Sequence, residues 1–159
     1  MLKMSLLESI GRLLAISISN IIQRFEVVKL PVSTKSISFN TLYAKLMQEF
    51  PGADIFLSDR NFKLCAYDDI AWFLAQDQTN KLEYVAEKYD CDDFAYRLMG
   101  QFSVPGWSDL AFGLVWTEKH AMNIIVAEDK KIFFIEPQSD KLEKELKLWQ
   151  GTNVRCVMI

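Results

Sequence analysis

The chain has 159 residues with a formal net charge of −3, and half of its residues are apolar. This length and composition are typical of one globular domain with its own core, and they exclude an intrinsically disordered chain. Because no basic stripe is available to neutralise phosphates, the charge argues against a nucleic-acid partner.

The cysteines point away from a disulfide scaffold and from a structural zinc site. The chain has three cysteines, an odd number, and no two of them form a CxxC pair: Cys65, Cys91 and Cys156. His120 is the only histidine, so a zinc-finger pattern cannot be completed. We therefore expect reduced thiols and a cytoplasmic protein.

Residues 1–30 predict an amphipathic helix as a separate N-terminal unit. Its apolar face is Leu6, Ile10, Leu13, Leu14, Ile18, Ile21, Ile22 and Phe25. The apolar run 13–22 is short and broken by polar residues, which predicts neither a membrane span nor a secretory signal. We expect this helix to pack on its own domain or on a partner subunit rather than on a membrane, which leaves a homo-oligomer open.

Residues 39–159 predict an α+β domain in which helices come first and an antiparallel sheet follows. Pro31 and residues 33–38 form the expected linker, and 76–81 an expected loop. The expected helices are 41–50, a segment through 72–74 capped by Asp68 or Asp69, and one that begins at Cys91. The expected strands are a hairpin of 54–57 with 62–67, then 111–117, 121–127, 131–135 and 154–159, with a charged helix or turn at 142–149.

Cys91 falls in the first turn of a predicted helix, with Asp90 as its N-cap. The positive end of the helix dipole and unpaired backbone N–H groups favour a thiolate there. The same N–H groups could stabilise the oxyanion that forms when a thiolate attacks a carbonyl. Cys91 is thus a candidate nucleophile, whereas Cys65 and Cys156 lie in apolar strands and are expected to fill the core.

His120 and Glu136 are the candidate base and orienting acid. His120 begins one predicted strand, and Glu136 ends the next, so a hairpin would bring them to the same end. A carboxylate that accepts a hydrogen bond from the imidazole fixes its tautomer, as a thiol nucleophile with a histidine base requires. The alternative is that each residue is merely structural, and Trp116 is expected near His120.

The acids around Cys91 oppose this interpretation in part. Asp90, Asp92 and Asp93 should raise the pKa of the thiol unless they point away or are neutralised. Clustered aspartates are oxygen ligands of the type that calcium prefers, and a helix cap with a solvated face explains them equally. Calcium therefore stays an open alternative, and no metal ligand is assigned.

Three runs carry a resemblance to a known family: residues 89–95 around Cys91, 120–123 beginning at His120, and 135–138 around Glu136. They resemble the papain-like cysteine peptidase superfamily, closest to the C-terminal protease domain of the fairy-ring mushroom agglutinin and its bacterial and phage relatives. The resemblance implies a papain-like fold, calcium dependence and a Cys91–His120–Glu136 catalytic triad. No sugar-binding repeat precedes the domain, so a lectin role is not expected.

With this resemblance, the sequence predicts a cysteine-dependent peptidase or amidase acting on a protein or peptide substrate. Cys91 would attack a carbonyl to form an acyl-enzyme thioester, with His120 as base and acid. Gln76, Gln78 and Gln138 are weak candidates for an oxyanion donor. Transfer of the acyl group to an amine stays open. The other alternative is an inactive papain-like fold that binds metal or assembles into a phage or bacterial particle.

Overall fold

The computed structural model describes residues 29–33 and 35–159, and the expected helix over 1–30 lies almost entirely outside these ranges. All the elements below belong to the unit Pro31–Ile159. Within the described residues, no helix combines the length and the apolar character needed to cross a bilayer.

Three helices and eight strands form in the described part of the chain. The helices are α1 (Phe39–Glu49), α2 (Tyr67–Gln76) and α3 (Cys91–Phe102), with a 3-10 turn at Thr79–Lys81. The strands are β1 (Lys35–Ser38), β2 (Asp54–Phe56), β3 (Asn61–Leu64), β4 (Phe112–Thr117), β5 (Ala121–Val126), β6 (Ile132–Glu136), β7 (Lys141–Glu143) and β8 (Val154–Met158).

The strands form two sheets rather than one. A six-stranded sheet has the order β2-β8-β4-β5-β6-β7, and β1 pairs with β3 in a separate antiparallel sheet. The edge strand β2 runs parallel to β8, so the six-stranded sheet is mixed.

Two predicted features of the N-terminal half are wrong. The linker expected over 33–38 contains β1, whose residues Lys35–Ser38 pair with β3. The hairpin expected from 54–57 and 62–67 does not form, because β2 and β3 join different sheets. The helices therefore do not all precede the strands, since β1, β2 and β3 all come before α2.

The six-stranded sheet lies between helices on both faces. Leu42 and Leu46 of α1 pack in the same core as Ile124, whereas Leu98 of α3 packs in the other core with Ile125. Successive strand residues point to opposite faces, so neighbours in β5 and β6 serve different cores. This explains why every residue of β5 and β6 is buried, a pattern typical of sheets covered on both sides.

Gly113 offers a test of this packing, because β8 passes close to it. A Cβ at position 113 would lie 1.8 Å from the carbonyl oxygen of Met158 and 2.9 Å from the Cα of Ile159. Backbone atoms cannot turn aside as a flexible side chain can, so Gly113→Ala should lower the free energy of unfolding by about 3 kcal/mol or more.

Gly100 is the matched control, because a Cβ built there meets no atom within 4 Å and the residue lies in α3. Gly100→Ala should stabilise the protein by up to about 1 kcal/mol. Urea unfolding of both variants measures these changes. Equal stability of the Gly113→Ala variant and the wild type would contradict the described β4–β8 contact.

Candidate functional site

Cys91 begins α3, as the sequence predicted. Asp90 is the N-cap, and its backbone N–H donates to Asp93 Oδ2 at 3.1 Å. Phe94, Ala95 and Leu98 bury the inner face of the helix. The capped end and the buried face together hold the Cys91 side chain at the rim of the sheet.

His120 ends the tight connection between β4 and β5. The Thr117 hydroxyl oxygen accepts hydrogen bonds from the backbone N–H groups of Lys119 and His120, at 3.1 and 2.9 Å. The His120 carbonyl in turn accepts from the Thr117 N–H at 2.9 Å. These bonds fix the backbone of His120, although the sequence analysis did not single out Thr117.

Glu136 ends β6 and contacts His120, which confirms that the two lie at the same end of the β5–β6 hairpin. Pairing of Asn123 with Ile135 sets this register. His120 Nε2 and Glu136 Oε2 are 2.8 Å apart, and each side chain is only 9% exposed. Glu136 Oε1 is buried and has no hydrogen-bond partner among the described residues.

Cys91 and His120 line one open depression of about 210 Å³. Its complete lining is Cys91, Asp92, Trp116, Thr117, Lys119, His120 and Ala121. The backbone N–H of Ala121 hydrogen-bonds to the Cys91 sulfur, which ties α3 to the first residue of β5. Glu136 does not line this depression, although its side chain contacts the His120 ring.

Burial raises the pKa of the Cys91 thiol, and the charges of Asp90 and Asp92 raise it further. The hydrogen bond from the Ala121 N–H acts in the opposite direction. The two carboxyl groups also hydrogen-bond to each other, which raises the pKa of Asp92 and lowers that of Asp90. The resting site therefore favours the neutral thiol, and deprotonation of Cys91 calls for a base.

Asp90, Cys91 and Asp92 could hold a metal ion, since one ligand atom from each lies within 4.8 Å of the others. The shared hydrogen bond between the two carboxyl groups accounts for their closeness without an ion. Calcium at these residues stays a prediction from the sequence.

Trp149 is the aromatic residue that the sequence analysis missed. Its ring centroid lies 5.0 Å from that of His120, and the residue is 61% exposed. Trp116 lines the depression, but its ring contact is with Tyr96, at 5.8 Å between centroids. No local pattern around Trp149 reveals its contact, because it depends on the fold of the segment before β8.

The other candidates have different surroundings. Cys65 is fully buried, and burial together with Asp69 raises the pKa of its thiol to about 12, so its role in the core is confirmed. Cys156 in β8 is only partly buried. Gln76, Gln78 and Gln138 do not line the depression.

Two solved structures share this fold. PSL1a in complex with E64 has a TM-score of 0.65 and 20% identity, covering 78% of this chain and 50% of that chain. Polyporus squamosus lectin bound to the human-type influenza-binding epitope Neu5Aca2-6Galb1-4GlcNAc has a TM-score of 0.64 and 21% identity, covering 78% and 49%. The chain thus spans about half the length of these structures. No family model matches it, and no curated protein matches it.

These comparisons contradict the papain-like resemblance. One of the two matching structures is described as a lectin, and the described residues combine two sheets with three short helices. The papain-like family and the papain-like α+β class were therefore wrong predictions. Three short matching runs constrain too few residues to determine a fold, which is why the inference failed.

The predicted peptidase or amidase, a thiol protease with a catalytic triad, is contradicted for the same reason. That function and its alternative, the inactive papain-like module, both depended on the resemblance. The geometry around Cys91, His120 and Glu136 does not depend on it, because it is a property of the described residues themselves.

Proposed function

We propose that Cys91, His120 and Glu136 form a reactive-thiol site that captures a ligand covalently. Cys91 Sγ forms a bond to an electrophilic carbon of the ligand as the bond from that carbon to its leaving group breaks, and the thiol proton passes to His120. The observation that carries this proposal is the 2.8 Å contact between His120 and Glu136 beside a depression that both Cys91 and His120 line.

The roles follow from the electrostatics of the site. Because burial and two aspartates raise the pKa of the thiol, Cys91 is mainly protonated at neutral pH, and His120 acts as the general base during attack. Glu136 holds the imidazole and stabilises the imidazolium that forms. The backbone N–H of Ala121 donates to the sulfur and stabilises the developing thiolate.

Iodoacetamide alkylation at pH 7 tests the proposal, since the S–C bond forms as iodide leaves and the proton passes to the base. His120→Ala should slow alkylation of Cys91 by about 10²-fold, the usual contribution of a positioned base. Glu136→Gln, which preserves the side-chain volume, should slow it less. Peptide mass spectrometry measures the rate at each cysteine.

The chain provides three controls. Cys156 is partly exposed and lies outside the depression, so its rate should be unchanged in both variants. Asp92→Asn should accelerate the alkylation of Cys91, because the substitution removes a charge that raises the pKa of the thiol. Asp54→Asn should do the same for Cys156 alone. Equal Cys91 rates in wild type, His120→Ala and Glu136→Gln would refute the proposed roles.

Carbohydrate binding is the second candidate function. One matching structure is a lectin bound to a glycan epitope, and in this chain aromatic rings contact two residues that line the depression: Trp149 contacts His120, and Tyr96 contacts Trp116. Trp149 and Tyr96 are 61% and 51% exposed, and Trp116 lies in the lining. Exposed aromatic rings with a polar edge suit the mixed apolar and polar faces of a sugar. No sugar-binding repeat is evident in the sequence, so the candidate is supported by these rings and by the likeness to a lectin structure.

Titration with the same epitope, followed by NMR of the tryptophan indole N–H groups, tests this second candidate. Binding should shift the Trp149 signal and should be lost in Trp149→Ala. Leu148→Ala is the matched control. The Leu148 side chain is next to Trp149 in the sequence and 82% exposed, and its removal should leave glycan binding unchanged. Unchanged indole signals at millimolar epitope would exclude binding of this glycan while leaving the thiol proposal unaffected.

A further inference from the structure

A second polar cluster lies away from Cys91, where three segments of the chain meet. Asp77 follows α2 directly, Thr79 and Asn80 belong to the 3-10 turn, and Asp140 precedes β7. Asn80 Nδ2 donates to Asp140 Oδ2, and the Thr79 N–H donates to Asp77 Oδ2 at 2.7 Å. The hydrogen bonds link the turn to both carboxylates.

Several oxygen atoms of this cluster lack a donor. Asp140 Oδ1, Asn80 Oδ1 and Thr79 Oγ1 are buried without a hydrogen-bond partner among the described residues. Thr79 is completely buried, and Asp77 is only 8% exposed. Unpartnered buried acceptors are costly, so a cluster of them indicates that a group is required to satisfy them.

The cluster also brings two acidic side chains together. Burial and the nearby Asp77 together raise the pKa of Asp140 to about 6, against the opposing effect of Lys81. Two acidic side chains therefore lie close together in a partly buried setting. Lys81 is exposed and offsets the repulsion between them only in part.

We propose that Asp77, Thr79, Asn80 and Asp140 bind a hard divalent cation. The available donors are two carboxylates, an amide oxygen and a hydroxyl oxygen, the ligand types that Ca²⁺ prefers. The cluster contains no sulfur or imidazole donor, so zinc and copper are disfavoured. This site is separate from the acids around Cys91.

A cation at this position would connect two parts of the fold that approach the Cys91 site. Asp140 lies in the turn that begins directly after Glu136. The pairing of Glu136 with Lys141 closes this turn. Thr79 and Asn80 lie in the 3-10 turn that packs against α3, the helix that begins at Cys91. The cation would thus hold the turn after β6 against the segment that supports α3.

Thermal unfolding of the whole chain at pH 7.5, with added Ca²⁺ or Mg²⁺, tests the proposal. A saturating cation should raise the Tm of the wild type by about 5–10 °C. Asp140→Asn and Asp77→Asn should abolish the rise. Asp140→Asn should also fold without a cation, because it removes the repulsion between the carboxylates.

Two variants identify the cluster responsible. Asp92→Asn tests the acids beside Cys91, and Asp129→Asn removes an exposed acid that pairs with Lys131 at 2.7 Å. Both should keep the cation-dependent rise. A larger rise with Ca²⁺ than with Mg²⁺ is expected for irregular oxygen ligands. No rise in the wild type, or a rise that persists in Asp140→Asn, would overturn the proposal.

Discussion

The buried hydrogen bond between His120 Nε2 and Glu136 Oε2 is the interaction on which the candidate site depends. Both side chains are shielded from water, which would otherwise compete for the bond. Strand register brings the two residues together, and the Thr117 hydroxyl holds the backbone at His120. A shift of one residue between β5 and β6 would turn one partner to the opposite face of the sheet.

Contact between α3 and the sheet is the second requirement, because Cys91 and His120 belong to different elements. The buried side chain of Asn123 in β5 provides it, since Nδ2 donates to the Ala95 carbonyl at 2.9 Å and to the Gly113 carbonyl at 3.1 Å. One amide group thus joins the helix of Cys91 to two strands of the sheet. Polar groups buried at such a junction specify one arrangement of the elements.

Local sequence signals predicted the parts of the site well. Asp90 before an apolar helical pattern placed Cys91 at a helix start, and the apolar runs on either side of residues 128–130 placed His120 and Glu136 at one end of a hairpin. Long-range pairings were missed. Strand β2 pairs with β8, which is about a hundred residues away, and no local pattern records such a partner. The contact of Trp149 with His120 was missed for the same reason.

Because the chain has one histidine, nitrogen NMR of His120 tests the central claim most directly. With Nε2 bound to Glu136, the neutral imidazole should carry its proton on Nε2, leaving Nδ1 to accept the thiol proton. The ¹⁵N shifts and two-bond couplings of a labelled sample distinguish the tautomers. The account predicts the Nε2–H form in the wild type and loss of this preference in Glu136→Ala, which removes the acceptor. A wild-type ring protonated on Nδ1 and bare at Nε2 would contradict it.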